Sequence, residues 1–135
     1  MESLLIHPTI STPFINFDLN SGIFEMSGVS RPEDVLDFYR PVMEWLEKLE
    51  SNVLAKTTAG QELKKIQLEY KMDYFNTGSS KFILKITKVL SSIHQAGKDL
   101  SVTWHYEAGD EQMREDGEYL AEAADIEFNF QEDDE

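Results

Sequence analysis

The sequence predicts an α/β fold, a two-layer sandwich in which a mixed sheet of four to five strands carries helices on one face. Helices and strands alternate after an opening β segment. Each strand pattern is apolar on one side only, as in "KIQLEYKMDYF" at 65–75, whereas a parallel sheet covered on both faces would show continuous apolar runs. Right-handed crossovers then place three helices together on the apolar face.

The composition predicts one folded domain over 1–130, followed by an acidic tail, "QEDDE", at 131–135. A hydrophobic share of 41% is enough for a core. The absence of cysteine excludes disulfides and thiolate metal sites. No apolar run has the length of a membrane helix, and the first residues lack the basic region of a signal peptide. We therefore expect a cytoplasmic protein without membrane contact.

The charge balance restricts the partners. Lys and Arg total 12 against 26 Asp and Glu, which gives a formal net charge of −14. Nucleic acids and anionic lipids are bound mainly through Lys and Arg, so neither is expected as a partner.

The elements follow from local patterns. "FINFDLNSGIFEMSG" predicts a hairpin whose turn contains Gly22. Ser30 and Glu33 form a capping box around Pro32 and predict a helix start, and Pro41 should kink or split that helix. The inward positions of the strand at 65–75 are Ile66, Leu68, Tyr70, Met72 and Tyr74.

The second half of the chain predicts two more helices and two more strands. A helix after "NTGSS" carries an apolar stripe and three lysines opposite, and it should stop at Gly97. The strand "LSVTWHY" follows, then an acidic helix, then the closing strand "IEFNF". The packing side of the acidic helix consists of Met113, Gly117, Leu120 and Ala124.

Catalytic motifs are not found in the sequence. The three histidines fall in separate elements, and His105 is interpreted as an ordinary surface histidine. There is no GxSxG elbow and no cysteine nucleophile. The sequence therefore predicts a protein that is not an enzyme and needs no cofactor.

The strongest local signal is "NTGSSK" at 76–81, where a polar turn joins a strand to a helix. Thr77 or Ser79 could cap this helix. Free N–H groups and the positive end of the helix dipole would also suit an anion, or a phosphate attached to one of the hydroxyls. Three interpretations stay open on the residues alone: a cap, a bound anion, and a modified side chain.

Four segments of this chain resemble the SiaC family of bacterial regulatory phosphoproteins. They are "TPFINFD", "SGIFEMSGVSRPEDVLDFYRPVMEWLE", "YFNTGSSKFIL" and "WHYEAGDEQMREDGEYLAE", which together span nearly the whole sequence. The more common NTSSSK of the family reads NTGSSK here, with Gly78 in place of a serine. The layout, in which a phosphoacceptor lies between a strand and a helix, is also similar to that of STAS-type anti-sigma-factor antagonists.

The resemblance implies a partner-switching protein. A cognate protein kinase would phosphorylate Thr77, a PP2C-type phosphatase would remove the phosphate, and the unphosphorylated form would engage a target such as a diguanylate cyclase. The residues that shape the surroundings of the acceptor would be Asn76, Gly78, Ser79, Ser80 and Lys81. A phosphothreonine adds about −1.5 to −2 charges at the start of the helix.

A second family motif supplies carboxylates that we expect to border the same docking surface. These residues are Glu107, Asp110, Glu111, Glu115 and Glu118. They could equally form a solvated helix face. Two further hypotheses stand beside the switch. One is a small anion-binding domain or enzyme at 76–81.

The other is a divalent-metal site made by Asp110, Glu111 and Glu115.

Overall fold

The computed structural model describes residues 1–134 and contains a single sheet with its helices on one side. The strands are β1 (Leu4–Ile6), β2 (Phe14–Phe17), β3 (Ile23–Ser30), β4 (Lys65–Phe75), β5 (Asp99–Glu107) and β6 (Asn129–Asp133). The helices are α1 (Val35–Leu54), α2 (Thr58–Glu62), α3 (Thr77–Gln95) and α4 (Glu111–Ala124).

The six strands lie in the order β1-β2-β3-β4-β5-β6. The pairs β1–β2 and β2–β3 are antiparallel, and β3 to β6 are parallel to one another. The mixed sheet is confirmed, but the count of four to five strands was wrong. The missed strand is β1, whose three residues are too few to show an alternating pattern.

The helices lie on one face of the sheet because the connections between the parallel strands all have the same handedness. The strands β3, β4, β5 and β6 are added side by side in chain order, so each right-handed crossover returns on the same side of the sheet. As a result α3 packs between α1 and α4. The short helix α2, at the end of the α1 crossover, was not predicted.

Trp104 of β5 anchors α4 to the sheet. Its indole N–H donates a hydrogen bond of 2.8 Å to the main-chain oxygen of Met113, and the side chain is fully buried. Gly117 lies directly over the indole ring, where a Cβ would be closer than van der Waals contact allows. The predicted packing side of α4 is confirmed, since Met113, Gly117, Leu120 and Ala124 are all buried.

The predicted capping box at the start of α1 was wrong. Ser30 is the last residue of β3 and is fully buried, and α1 begins at Val35 with Asp34 as its N-cap. The Asp34 carboxylate accepts a hydrogen bond of 3.0 Å from the Asp37 N–H. Pro41 lies inside α1, which continues through it as one helix.

Tyr74 does not point inward as predicted, because β4 contains a bulge. Opposite β3, Gly28 pairs with Met72 but Val29 pairs with Tyr74, so Asp73 is an extra residue. One extra residue reverses the alternation of side chains beyond it. Tyr74 is therefore 50% exposed.

The last strand begins and ends later in the chain than predicted. The last strand begins at Asn129, not at Ile126, and runs to Asp133. Its residues 131–133 were predicted to belong to the acidic tail, but they pair with His105, Tyr106 and Glu107 of β5. Glu135, the last residue of the predicted tail, lies outside the described residues.

Candidate functional site

The N-terminus of α3 is capped by Asn76. Its side-chain oxygen accepts a hydrogen bond of 2.9 Å from the Ser79 N–H, and its main-chain oxygen accepts one of 3.0 Å from Ser80. As at any helix start, the N–H groups of Thr77 and Gly78 have no carbonyl of their own helix to bond. The cap is therefore neither Thr77 nor Ser79, the two residues that the sequence suggested.

Ser79 points into the protein and holds the turn in place. Its hydroxyl donates to the Ser30 main-chain oxygen at 3.0 Å and accepts from the Ser30 hydroxyl at 2.8 Å. The Ser30 hydroxyl also contacts the phenol oxygen of Tyr39, at 2.5 Å. Burial raises the pKa of Tyr39 to about 12, so the phenol stays protonated at neutral pH. Three neutral hydroxyls thus connect β3, α1 and α3.

Thr77 is the exposed hydroxyl of the segment. It is the first residue of α3 and is exposed, whereas Ser79 is fully buried. Ser80 is half-buried, and its hydroxyl donates to the Thr77 main-chain oxygen at 2.8 Å. Within residues 1–134 the Thr77 hydroxyl has no hydrogen-bond partner. An enzyme could therefore reach Thr77 without disturbing the fold.

A cleft of about 250 Å³ opens beside Thr77. Residues on the α3 side are Phe75, Asn76, Thr77 and Ser80, and residues on the α4 side are Asp116, Tyr119 and Leu120. Tyr119 is 69% exposed, which is unusual for an aromatic side chain of this size. Asp116 and Tyr119 were missed from the sequence, although Asp116 lies four residues before the packing residue Leu120 and Tyr119 lies three residues after Asp116.

The five predicted carboxylates do not surround Thr77. None of Glu107, Asp110, Glu111, Glu115 and Glu118 lines the cleft. The Asp110 side chain instead caps α4, accepting from the Met113 N–H at 3.0 Å. Glu111, Glu115 and Glu118 are exposed and follow one another at helical spacing, along a side of α4 next to that of Asp116. That they bind a partner stays a prediction.

Gly78 and Lys81 complete the predicted surroundings. Gly78 belongs to regular helix, and a Cβ there would lie 3.5 Å from a Val35 methyl, an ordinary contact. Lys81 is exposed one turn after Thr77. Neither residue lines the cleft.

His105 is not the simple surface histidine that the sequence indicated. Its two ring nitrogens lie 2.9 Å from a Glu69 carboxylate oxygen and 3.0 Å from one of Asp133. The side chain is only 14% exposed. Its role in the structure is to link β4 to β6 across the uncovered face of the sheet.

The proposed metal set is not assembled as a site. Across residues 1–134, no group of three or more histidine or carboxylate side chains is arranged to hold a metal ion. The Asp110 carboxylate is already engaged as a helix cap. Over the same residues, no helix combines the length and apolarity needed to cross a bilayer.

The fold and the site define a small α/β protein that presents one threonine hydroxyl at a helix N-terminus, beside a cleft. A family model described as "SiaC family regulatory phosphoprotein" matches residues 6–133. The chain belongs to this family of bacterial regulatory phosphoproteins, as its motifs indicated.

Relatives in Pseudomonas aeruginosa agree with this assignment. An uncharacterized protein of strain UCBPP-PA14 is 32% identical over the whole of both chains. The structure of SiaC from P. aeruginosa is 30% identical, with a TM-score of 0.78 over all of both chains. The SiaC chain in a crystal structure of the diguanylate cyclase SiaD "in complex with its activator SiaC" has 31% identity and a TM-score of 0.79, covering 98% of this chain and 99% of that one.

Proposed function

We propose that this protein is a non-catalytic, cytoplasmic switch that is controlled by reversible phosphorylation of Thr77. A protein kinase adds the phosphate, a PP2C-type phosphatase removes it, and the unphosphorylated form binds a diguanylate cyclase. Family membership and the complex formed by the relative SiaC support this proposal. An STAS-like layout of the acceptor segment stays a prediction within it.

The observation that carries the proposal is the contrast among the three hydroxyls. Ser79 is buried and doubly hydrogen-bonded, Ser80 bonds to the turn itself, and Thr77 is exposed and without a partner in the described residues. A phosphate on Thr77 would project from the first turn of α3, where the helix dipole favours negative charge. The modification would therefore alter the surface and leave the core intact.

The lining of the cleft favours a phosphorylation switch over a site that binds a free anion. Asp116 is the charged residue among the seven that line it, and none of the seven is a lysine or an arginine. A bound anion would face this carboxylate with no cation in the lining to offset it. A phosphate attached to Thr77 would instead bring two negative groups together, which changes what this surface can bind.

The first experiment is intact-mass and fragment mass spectrometry of the protein purified from its native host. We expect one phosphate, located on Thr77. The Thr77→Val variant should carry none, and the matched Ser80→Ala variant should be modified like the wild type. A phosphate on another residue, or none under any growth condition, would contradict the assignment.

The second experiment measures binding to the diguanylate cyclase of the same host by biolayer interferometry. The unphosphorylated protein should bind, and the phosphorylated protein should bind at least tenfold more weakly, as expected when about two charges enter an interface. Equal binding by both forms would remove the switch from the proposal.

A further inference from the structure

Helix α3 is the basic element of a strongly acidic protein. Its 19 residues include Lys81, Lys85 and Lys88 and no Asp or Glu. All three lysines are exposed, and their spacing of four and three residues places them along one side of the helix. Within residues 1–134 none of them lies within 4.0 Å of a carboxylate oxygen, although the chain has 26 Asp and Glu. In the described part of the chain, this lysine ridge therefore contributes no ion pair to the fold.

A groove of about 470 Å³, lined by three apolar and four charged residues, runs beside the ridge between α1 and α3. Leu36 is 61% exposed there, and the stem of Lys85 crosses the edge of the groove with its Nζ 4.8 Å from the Phe82 ring centroid. The residues that line the groove are Leu36, Arg40, Met43, Glu44, Glu47, Phe82 and Lys85.

The two walls of the groove carry opposite charges. The α3 wall is basic through Lys85, with Lys81 and Lys88 on the same ridge, and the α1 wall is acidic through Glu44 and Glu47. The remaining cation, Arg40, is 3.1 Å from the Asp37 carboxylate, so its charge is largely offset. A ligand of uniform charge would be attracted by one wall and repelled by the other.

We propose that this groove binds an amphipathic helix of a partner protein, with acidic residues along one edge of its apolar stripe and basic residues along the other. Apolar side chains of the helix would contact mainly Leu36 and Met43, since Phe82 is 8% exposed and forms the floor of the groove. Its acidic edge would lie along the lysine ridge, and its basic edge beside Glu44 and Glu47. The charges thereby fix the direction in which the helix lies, as well as its affinity.

The lysine ridge beside the groove begins one turn after Thr77, which links the groove to the switch. A Cβ at Gly78 would lie 3.5 Å from Val35, so the first turns of α1 and α3 are neighbours there, and Lys81 follows Thr77 by one turn. A phosphate on Thr77 would add negative charge at the end of the ridge that receives the acidic edge. This link rests on the proposed function, whereas the groove itself does not.

The test of the groove uses a displayed library of 16-residue helical peptides. The apolar stripe is fixed, and the positions on both flanks vary among Glu, Lys and Gln. The wild-type protein should enrich peptides with Glu on one flank and Lys on the other. The Lys85→Glu/Lys88→Glu variant should bind the selected peptides about tenfold more weakly at low salt, since two exposed attractions become repulsions. It leaves Lys81 and the Thr77 turn unchanged.

The matched control is Lys64→Glu/Lys65→Glu, which makes the same change of charge at exposed positions away from the groove. It should bind like the wild type. The proposal would be overturned if the selected peptides showed no charge preference on their flanks. It would also be overturned if both double variants lost peptide binding equally. A dimer of the wild type, detected by light scattering, that the Lys85→Glu/Lys88→Glu variant cannot form would overturn it too, because the groove would then hold a second copy of this chain.

The same variants separate this inference from the proposed function. If the selected peptides bind but the diguanylate cyclase does not, the groove stands and the proposed target falls. If the cyclase binds and responds to phosphorylation, but the Lys85→Glu/Lys88→Glu variant binds it and the peptides like the control, the groove proposal falls and the switch stands.

Discussion

The Ser79 hydroxyl donates a hydrogen bond to the Ser30 main-chain oxygen at 3.0 Å, which ties the first turn of α3 to the end of β3. The same oxygen accepts from the Asn76 N–H, also at 3.0 Å. One carbonyl of β3 thus fixes both the cap residue and the third residue of the helix. Thr77, between them, is held in position by its neighbours, while its own hydroxyl has no partner among residues 1–134.

Replacing Ser79 with Ala should destabilise the protein by about 1–3 kcal/mol, because the Ser30 hydroxyl and carbonyl would lose a buried partner. The measurement is urea unfolding followed by circular dichroism. The control is Ser80→Ala, whose hydroxyl bonds at the surface and whose loss should change the free energy of unfolding by about 0.5 kcal/mol or less. Equal effects of the two changes would show that the buried contact contributes little.

Two helical glycines should respond in opposite directions to the same substitution. Gly117→Ala should cost about 1–3 kcal/mol, because the added methyl would overlap the Trp104 ring and push α4 from the sheet. Gly78→Ala should instead stabilise the protein by up to about 1 kcal/mol, since the methyl fits against Val35 and alanine favours the helix. Thermal unfolding of both variants checks the pair. A stabilised Gly117→Ala protein would contradict the packing described here.

Asp116 should reduce the stability of the phosphorylated form. It lines the same cleft as Thr77, so a phosphate there adds like charge nearby. Asp116→Asn should therefore stabilise the phosphorylated protein more than the unphosphorylated one, by about 0.5–1 kcal/mol at low salt. The control is Glu115→Gln, which removes a charge on the same helix outside the cleft. The wild type and Asp116→Asn are each unfolded chemically with and without the phosphate. The four free energies of unfolding give the coupling between Asp116 and the phosphate, which should diminish in high salt.

The Tyr39 phenol should make stability sensitive to alkaline pH. Burial raises its pKa from the ordinary 10.0 to about 12, so the folded state holds the proton more tightly than the unfolded state. The resulting contribution of Tyr39 to the free energy of unfolding is complete below pH 10.0 and is lost as pH rises toward about 12. The wild type should lose up to about 1.4 kcal/mol per pH unit relative to Tyr39→Phe across that interval. Parallel slopes for both proteins would show that Tyr39 ionises equally in both states.

Periodic patterns predicted the parts of the fold in which a single face is buried. The packing side of α4 and the extent of β4 followed directly from apolar spacing, because burial on one face imposes the period of the element. The same logic missed β1 and α2, which are too short to display a period. It also failed at Ser30, which was predicted to open a capping box but is the last residue of β3.

The candidate site was predicted in its position but not in its details. The hydroxyls of 76–81 indicated the start of α3, yet only three-dimensional packing shows that Ser79 is buried and Thr77 exposed. Asp116 and Tyr119 reach the cleft because α4 packs beside α3, a contact between elements that no local pattern encodes. Glu111 and Glu115 were predicted to border the site because they belong to an acidic motif, but they lie outside the cleft on that helix.

The extra residue Asp73 places Met72 and Phe75 on the same face of the sheet, although they are three positions apart. Its effect is to turn Phe75 toward the Trp104 ring, with the ring centroids 5.9 Å apart, just before the chain enters α3. If β4 alternated regularly through Asp73, Tyr74 would face the helices and Phe75 would face solvent. Asp73, four residues upstream of Thr77, thus determines which aromatic side chain anchors the chain to the core just before α3 begins.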